Sequence, residues 1–193
     1  MNEVLTIVEQ MQVIILGPPG VGKGTQSELI AQKLGLIHLS TGEILRDAVN
    51  EGTPLGLRAK AVIESGALVS DEIMIGIIKE AIQKEEMKNG FILDGFPRTI
   101  TQAIALDALL EEIDCKNVKV VYLSVPKEEL ITRLTSRGRK DDNIDTVLKR
   151  MEIYKEQTAP VREHYRHKNG ILEVDGVGSI DEINENVVEL LKA

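Results

Sequence analysis

QVIILGPPGVGKGT, residues 12–25, joins a short apolar run to a glycine-rich loop that holds one lysine. The apolar run is typical of a buried strand in a parallel sheet, and the residues after Lys23 follow a helical pattern. Residues 17–23 match the first seven positions of a P-loop, in which glycines turn backbone N–H groups toward phosphate oxygens and a helix start adds positive dipole charge. The stretch therefore predicts a nucleotide ligand and phosphoryl transfer. The general motif places Ser or Thr directly after the lysine, whereas here Gly24 intervenes before Thr25.

Length and composition narrow the class of protein. The chain has 193 residues, a net charge of −8, 42% hydrophobic residues and 3% aromatic residues. This length predicts one domain, and an acidic chain with few aromatics is a poor candidate for binding nucleic acid. A membrane partner is not expected, because the sequence has neither a signal segment nor an apolar run near 18 residues. The single cysteine, Cys115, forms no internal disulfide and no multi-cysteine zinc site, and it favours the cytoplasm.

Strand and helix patterns alternate along the chain. Strands are predicted at 12–16, 36–39, 91–94, 118–125 and 171–174, with helical patterns between them. This alternation predicts an α/β fold, in which a five-stranded parallel sheet carries helices on both faces. Ligands of such folds bind where the strands end.

Several helix boundaries can be read from the sequence. Gly35 is expected to end the helix that begins near Lys23. Ser70 is expected to cap a long helix that runs to Lys88 and is closed by Gly90. The apolar face of that helix is predicted to hold Ile73, Ile77, Ile78, Ala81 and Ile82. A capping box at 179–182 opens the last helix, whose apolar face is predicted to hold Val187, Leu190 and Leu191.

An acid and an arginine follow the strand at 91–94. Asp94 ends this apolar run, which suits a carboxylate that lies near Mg²⁺, although a strand-end Asp can also simply cap a turn. Gly95 and Pro97 predict a sharp turn that aims Arg98 at the same cleft as the P-loop.

Further arginines flank a short polar loop. Arg133 and Arg137 are four residues apart on one predicted helix face, Arg139 lies in the loop, and Arg150 lies in the next helix. Arginine binds phosphate through two parallel hydrogen bonds, although any one of these residues could be an ordinary surface residue. The histidines are predicted to be surface or packing residues rather than metal ligands: His38, His164 and His167.

These motifs together resemble the adenylate kinase family of nucleoside monophosphate kinases. The matching stretches are GPPGVGKGTQ (17–26), LSTGEILR (39–46), DGFPRT (94–99) with Gln102, RKDDN (139–143), KRMEIY (149–154) and TAP (158–160). The family's own P-loop reads GKGT, which accounts for Gly24 before Thr25.

The resemblance implies a reaction and a domain plan. The reaction is the reversible transfer of the terminal phosphoryl group of MgATP to AMP, which gives two ADP. The plan is a single P-loop kinase domain over 1–193, a monomer, with an N-terminal extension at 1–10. Residues 40–69 correspond to a mobile AMP-binding segment, and residues 136–143 to a short lid loop. No zinc-holding lid is expected, because only Gly138 and Arg139 separate the lid position from Lys140.

The resemblance also assigns roles to individual residues. The residues implied to bind ATP are Gly20, Val21, Gly22, Lys23, Gly24, Thr25, Arg133, Arg137 and Gly178. Those implied to bind AMP are Thr41, Arg46, Ala67, Leu68, Val69, Gly95, Phe96, Pro97, Arg98, Gln102, Arg139 and Arg150. The residues implied to act in the transfer itself are Lys23, Arg98, Arg137, Arg139 and Arg150. Asp94 is implied to hold Mg²⁺ through water.

Two alternatives remain at this point. A UMP/CMP kinase would use the same chemistry on another acceptor, but those enzymes usually carry Asn where this chain has Thr99. A nucleotide-binding module without catalysis needs the P-loop, but it does not need Arg98, Arg139 and Arg150 as a set.

Overall fold

Five parallel strands form one sheet in the computed structural model, which describes residues 11–136, 138, 143–168 and 170–193. The strands are β1 (Met11–Leu16), β2 (Ile37–Ser40), β3 (Phe91–Asp94), β4 (Asn117–Ser124) and β5 (Leu172–Asp175). Their order across the sheet is β2-β3-β1-β4-β5. All six residues of β1 are buried, because this central strand is covered on both faces. The predicted sheet is confirmed, and each strand lies within a residue of its predicted start.

Helices cover both faces of the sheet. They are α1 (Lys23–Leu34), α2 (Thr41–Asn50), α3 (Pro54–Glu64), α4 (Asp71–Ile82), α5 (Ile100–Glu112), α6 (Lys127–Ser136), α7 (Ile144–Ile153), α8 (Ala159–Lys168) and α9 (Ile180–Lys192). A 3₁₀ turn spans Glu85–Asn89, and a π-helical turn joins α7 to α8. Among the described residues, none of the helices combines the length and apolar character needed to cross a bilayer.

The apolar side chains of β1 alternate between two cores. Ile14 packs with Leu93 and with residues of α4 and α5 on one face. Val13 and Ile15 pack with residues of α1 and α9 on the other face. A strand alternates its side chains with period two, so a continuous apolar run supplies both cores at once.

The two cores fix where a ligand can bind. β1 and β3 are neighbours, but the helix after β1 (α1) lies on one face and the helix after β3 (α5) lies on the other. The chain therefore diverges to opposite faces beyond the carboxyl ends of these two strands, which opens a crevice there.

The helix predicted from Ser70 to Lys88 is corrected by the structure. α4 ends at Ile82, Lys84 is extended, and the 3₁₀ turn brings Met87 into the core at 5% exposure. A continuous α-helix would rotate Met87 about 140° away from Ile82, because each residue turns the helix by about 100°. The break buries a large apolar side chain that an unbroken helix would expose.

Smaller predictions about helices had mixed outcomes. Gly35 ends α1 in a left-handed conformation, and Ser179 with Glu182 forms the predicted capping box. Ser70 occupies the N-cap position of α4, but its side chain makes no capping hydrogen bond. The expected buried faces also need correction: Ile73 and Ile77 are only half-buried, Met74 is buried instead, and Leu190 is exposed.

Candidate active site

The P-loop connects β1 to α1 at the crevice. Gly20 and Gly22 have φ angles of +84° and +103°, which favour glycine, and a β-carbon at Gly20 would lie 2.7 Å from the Leu134 side chain. Within α1, which is described throughout, the first turn carries no acidic residue. The positive end of this helix is therefore left to act on an anion.

Lys23 is the first residue of α1 and lies against the loop. Its Nζ donates hydrogen bonds to the carbonyl oxygens of Gly17, at 2.8 Å, and Pro18, at 3.0 Å. The loop thus holds an ammonium group beside its own backbone N–H groups, at the edge of the cleft.

Asp94 ends β3 beside the P-loop. It pairs with Ile15 of β1 in the sheet, and its Oδ2 lies 3.4 Å from where a β-carbon of Gly24 would stand. The Nε2 of His38 lies 3.8 Å from the same carboxylate, and Thr41 donates a hydrogen bond to the Asp94 carbonyl oxygen at 3.2 Å. The carboxylate of Asp94 therefore lies beside the first turn of α1.

The charge of Asp94 follows from its neighbours. Burial raises its pKa, but the nearby His38 ring and the positive charges of Lys23 and Arg98 together lower it more, so the net pKa lies below 3.8. Asp94 is ionised at neutral pH, and a carboxylate of this kind suits a hard cation such as Mg²⁺. Within the described ranges, no group of three or more His, Cys, Asp or Glu residues could hold a metal ion.

The turn after β3 presents Arg98. Its Nε donates a hydrogen bond to the Gly95 carbonyl oxygen at 2.7 Å, and the peptide bond between Phe96 and Pro97 is cis. Gly95 has a φ of +84°, which favours glycine, and a β-carbon there would lie 2.6 Å from Thr41 Oγ1 and 2.9 Å from Arg98 Nη2.

Three arginines converge near this turn. Arg98 is exposed to the open cleft, and partial desolvation by the surrounding protein lowers its pKa. The charge of Asp94 opposes this lowering, whereas the charges of Arg150 and Arg46 add to it. Arg46 lies over Gly42, where a β-carbon would stand 3.1 Å from its Nη1. Clustered like charges are unfavourable alone, so the cluster is suited to an anion with more than one charge.

Gln102 is buried beside Arg98. Its Oε1 accepts a hydrogen bond from the Arg98 backbone N–H at 2.7 Å, and its Nε2 donates one to Asp71 Oδ1 at 2.8 Å. Thr99 caps α5 by accepting a hydrogen bond from the Gln102 N–H.

Arg133 joins three segments at the other end of the cleft. Its guanidinium donates to the Gly176 carbonyl oxygen at 3.0 Å, to Glu129 at 2.8 Å and to the Val21 carbonyl oxygen at 3.4 Å. Gly178 lies two residues beyond Gly176, in the loop between β5 and α9. The P-loop, α6 and this loop are thereby tied together.

All described residues of the predicted site line one cleft of about 580 Å³. They are Gly20, Val21, Gly22, Lys23, Gly24, Thr25, Thr41, Arg46, Ala67, Leu68, Val69, Asp94, Gly95, Phe96, Pro97, Arg98, Gln102, Arg133, Arg150 and Gly178. Arg137, Arg139, the extension at 1–10 and most of the lid at 136–143 lie outside the described residues.

Some residues of the cleft were not predicted. Tyr154 and Thr158 line it, and Thr158 donates a hydrogen bond to the Arg98 carbonyl oxygen at 2.8 Å. The TAP motif contains Thr158, so the sequence did mark this position. His38 was predicted to be a surface or packing residue; it is half-buried beside Asp94. His164 is not isolated either, because it pairs with Asp107 at 2.8 Å.

The cleft has a phosphate-binding loop at one end and three converging arginines at the other. This arrangement is that of a P-loop phosphotransferase, which binds two anionic ligands next to each other. Comparison with known proteins identifies the family within this class. The family model described as adenylate kinase matches residues 15–170.

Curated relatives match over nearly the whole chain. The adenylate kinase of Xylella fastidiosa (strain 9a5c) is 45% identical over 185 residues, covering 94% of this chain and 99% of the relative. That of Clostridium tetani is 40% identical over 214 residues, covering 95% and 99%. That of Methylobacterium radiotolerans is 45% identical over 192 residues, covering 94% and 96%. The chain belongs to the adenylate kinase family, and the predicted family, fold class and enzyme class are confirmed.

Proposed function

We propose that this cleft transfers the terminal phosphoryl group of MgATP, bound at the P-loop, to AMP, bound beside Arg98, giving two ADP in a reversible reaction. One observation carries this proposal. Lys23 from the P-loop and Arg98 from the turn after β3 both lie close enough to Asp94 to lower the pKa of its carboxyl. The donor and acceptor phosphates would therefore meet at Asp94.

The donor end would bind ATP through backbone and charge. The N–H groups of residues 20–25 and the positive end of α1 would hold the phosphates, and Lys23 would leave the loop carbonyls for phosphate oxygens. Arg133 and Gly178 would lie along the adenine. Mg²⁺ would neutralise charge on the donor phosphates, and Asp94 would hold it through water.

The acceptor end would bind AMP through its arginines. Arg46, Arg98 and Arg150 would hold the AMP phosphate, with Arg137 and Arg139 contributing from the lid as the family resemblance implies. The AMP phosphate is already a competent nucleophile, so the protein needs no general base. Catalysis would then consist of positioning and of charge stabilisation in a loose transition state.

Exclusion of water would come from two moving segments. Residues 40–69 comprise α2 and α3, which cover the acceptor end, and the lid would cover the donor end. The alignment with the Clostridium tetani enzyme spans 214 positions, more than the 193 residues of this chain, whereas that with Xylella fastidiosa spans 185. These lengths support a short lid. The single-domain monomer is proposed from the family resemblance, because the short-lid forms of this family are usually monomers. The lone Cys115 suits a cytoplasmic setting.

AMP is favoured over UMP or CMP as the acceptor. The relatives reported above are all named adenylate kinase, and Thr99 stands where UMP/CMP kinases usually carry Asn. A binding module without catalysis is not favoured either, because Arg46, Arg98 and Arg150 cluster at an acceptor site that such a module does not need.

The direct test is to mix the purified protein with MgATP and, separately, AMP, CMP, UMP or GMP, and to measure ADP formation. Strong ADP formation with AMP alone is expected. Transfer to CMP or UMP would show that the acceptor is not restricted to AMP. If the protein bound ATP but transferred phosphate to none of the four nucleotides, the proposal would be contradicted.

Arg98→Ala should raise the KM for AMP much more than the KM for ATP. The control is Arg58→Ala, on the exposed face of α3, which should change neither KM.

A further inference from the structure

We propose that Asp71 is a positioning residue that fixes the orientation of the Gln102 side-chain amide and thereby makes the acceptor site select a 6-aminopurine over a 6-oxopurine. This inference rests on the proposed function, because it concerns how the acceptor base is recognised. Asp71 is the first residue of α4, two residues after the segment 67–69 that lines the cleft. It does not line the cleft itself.

Asp71 belongs to a hydrogen-bond network that holds both ends of the Gln102 side-chain amide. Gln102 Nε2 donates to Oδ1 at 2.8 Å, and Thr99 Oγ1 lies 3.1 Å from both carboxylate oxygens. On the other side of the amide, Oε1 accepts from the Arg98 N–H at 2.7 Å. Gln102 is only 1% exposed, so water cannot substitute for these partners freely.

These partners allow one orientation of the amide. An ionised carboxylate only accepts hydrogen bonds and a backbone N–H only donates them. If the Gln102 amide turned over, its oxygen would face the oxygen of Asp71 and its NH₂ would face the N–H of Arg98. Both contacts would then be repulsive, so Asp71 and Arg98 select the same orientation.

A fixed amide can distinguish two kinds of purine. Nε2 keeps one hydrogen, and Oε1 keeps one lone pair, after Asp71 and Arg98 are satisfied. This donor and acceptor match the Watson–Crick edge of adenine, which offers the N1 acceptor and the 6-amino donor. On the same edge a 6-oxopurine presents the reverse pattern, an N1–H donor and an O6 acceptor, which only the turned-over amide could match. The orientation of the Gln102 amide therefore determines which purine the site prefers. Asp71 provides one of the two contacts that fix this orientation, and the Arg98 N–H provides the other.

The test compares AMP with IMP as acceptors at saturating MgATP. Asp71→Asn has the same shape, but its own amide can turn to suit either orientation of Gln102. We expect the ratio of kcat/KM for AMP to that for IMP to fall by about tenfold, the scale of one bidentate base contact. The KM for AMP should rise, and the KM for ATP should stay unchanged. Asp71→Ala, which removes the acceptor oxygens, should lower the ratio in the same direction.

The matched control is Glu72→Gln. It removes one negative charge from the same first turn of α4, but Glu72 is exposed, whereas Asp71 is the residue that accepts the hydrogen bond of Gln102 Nε2. Its AMP-to-IMP ratio should equal that of the unmodified protein, and thermal melts should show that all three variants fold.

Two results would overturn the inference in distinguishable ways. If the unmodified protein transfers nothing to AMP, the proposed function fails, and this inference fails with it. If the unmodified protein uses AMP but both Asp71 variants, folded, keep its AMP-to-IMP ratio, only the role of Asp71 is wrong. A purely structural role would lower stability or overall activity without moving that ratio.

Discussion

Lys23 has carbonyl oxygens as its hydrogen-bond partners, at 2.8 and 3.0 Å. A phosphate oxygen carries much more negative charge than a carbonyl, so a bound nucleotide would compete well for this ammonium group. The developing charge of phosphoryl transfer then lies within its reach. Substitution of Lys23 therefore tests the proposed chemistry most directly.

Lys23→Met should lower kcat for MgATP and AMP by about 10²–10³-fold, the scale of removing one preorganised charge from a transition state. The variant also loses two hydrogen bonds and the positive charge near Asp94, so its kcat is to be measured well below its own thermal midpoint. A coupled assay of ADP formation measures the loss. Lys33→Met, in the exposed last turn of the same helix, is the control and should keep normal kcat. Equal kcat values for the two variants would contradict the role of the P-loop.

The ionisation of Asp94 makes the free energy of unfolding depend on pH in the acid range. Its pKa is lower in the folded chain than the ordinary 3.8 because His38, Lys23 and Arg98 outweigh the effect of burial. A lowered pKa adds stability above the ordinary value, and this stability is lost as pH falls from about 4 through the folded pKa.

Denaturant titrations from pH 7 to pH 3 test this coupling. Asp94→Asn, which cannot ionise, should show a weaker loss of stability below about pH 4 than the unmodified protein. Parallel curves for the two proteins would mean that the carboxylate of Asp94 gains nothing from its neighbours.

The residues of the site differ in how far the sequence alone could locate them. The P-loop and the turn at Asp94 and Arg98 are local motifs, so their place at strand ends could be predicted from adjacent letters. The bond between Asp71 and Gln102 spans 31 positions, and its partners lie on different helices. Such a contact depends on how α4 packs beside α5, which no local pattern specifies.

Among the elements, α2 and α3 are packed unusually closely. A β-carbon at Gly56, in α3, would lie 1.9 Å from the carbonyl oxygen of Ala48, in α2. No rearrangement of side chains can relieve a clash with backbone, so any larger residue must push the two helices apart. Both helices belong to the segment 40–69, which is proposed to cover AMP.

Gly56→Ala should therefore raise the KM for AMP several-fold, leave the KM for ATP nearly unchanged and lower the thermal midpoint. Gly76→Ala is the matched control, because Gly76 lies in α4 with nothing within 4 Å of its added β-carbon. Alanine there should stabilise the protein by roughly 0.5–1 kcal/mol through helix propensity and change neither KM. If both glycine variants were stabilised alike, the close packing of α2 on α3 would be wrong.

Element boundaries were predictable to the extent that they are marked by local signals. Gly35 ends α1 as expected, because a residue in the left-handed conformation stops a helix whatever packs against it. The end of α4 at Ile82 has no glycine or proline to mark it. It depends on Met87 entering the core, which is a tertiary contact that competes with the local preference to continue the helix.

At the scale of the whole molecule, the sheet separates two cores, and the site lies beyond the carboxyl ends of its strands. Both cores share β1, whose successive side chains enter opposite sides. A chain of 193 residues can unfold in one step or in parts. The shared strand argues for one step, because neither core can lose β1 without exposing the other.

A double-mutant cycle across the sheet tests this cooperativity. Ile78 in α4 and Ile30 in α1 are both 0% exposed and lie in different cores. Each Ile→Ala change should lower the free energy of unfolding by about 2–5 kcal/mol, and the two losses should add to within about 0.5 kcal/mol, because the side chains share no contacts. Far-ultraviolet circular dichroism and the fluorescence of the three tyrosines should report the same midpoint in every variant. Separate midpoints for the two probes would divide the chain into independent units and contradict a single domain over 1–193.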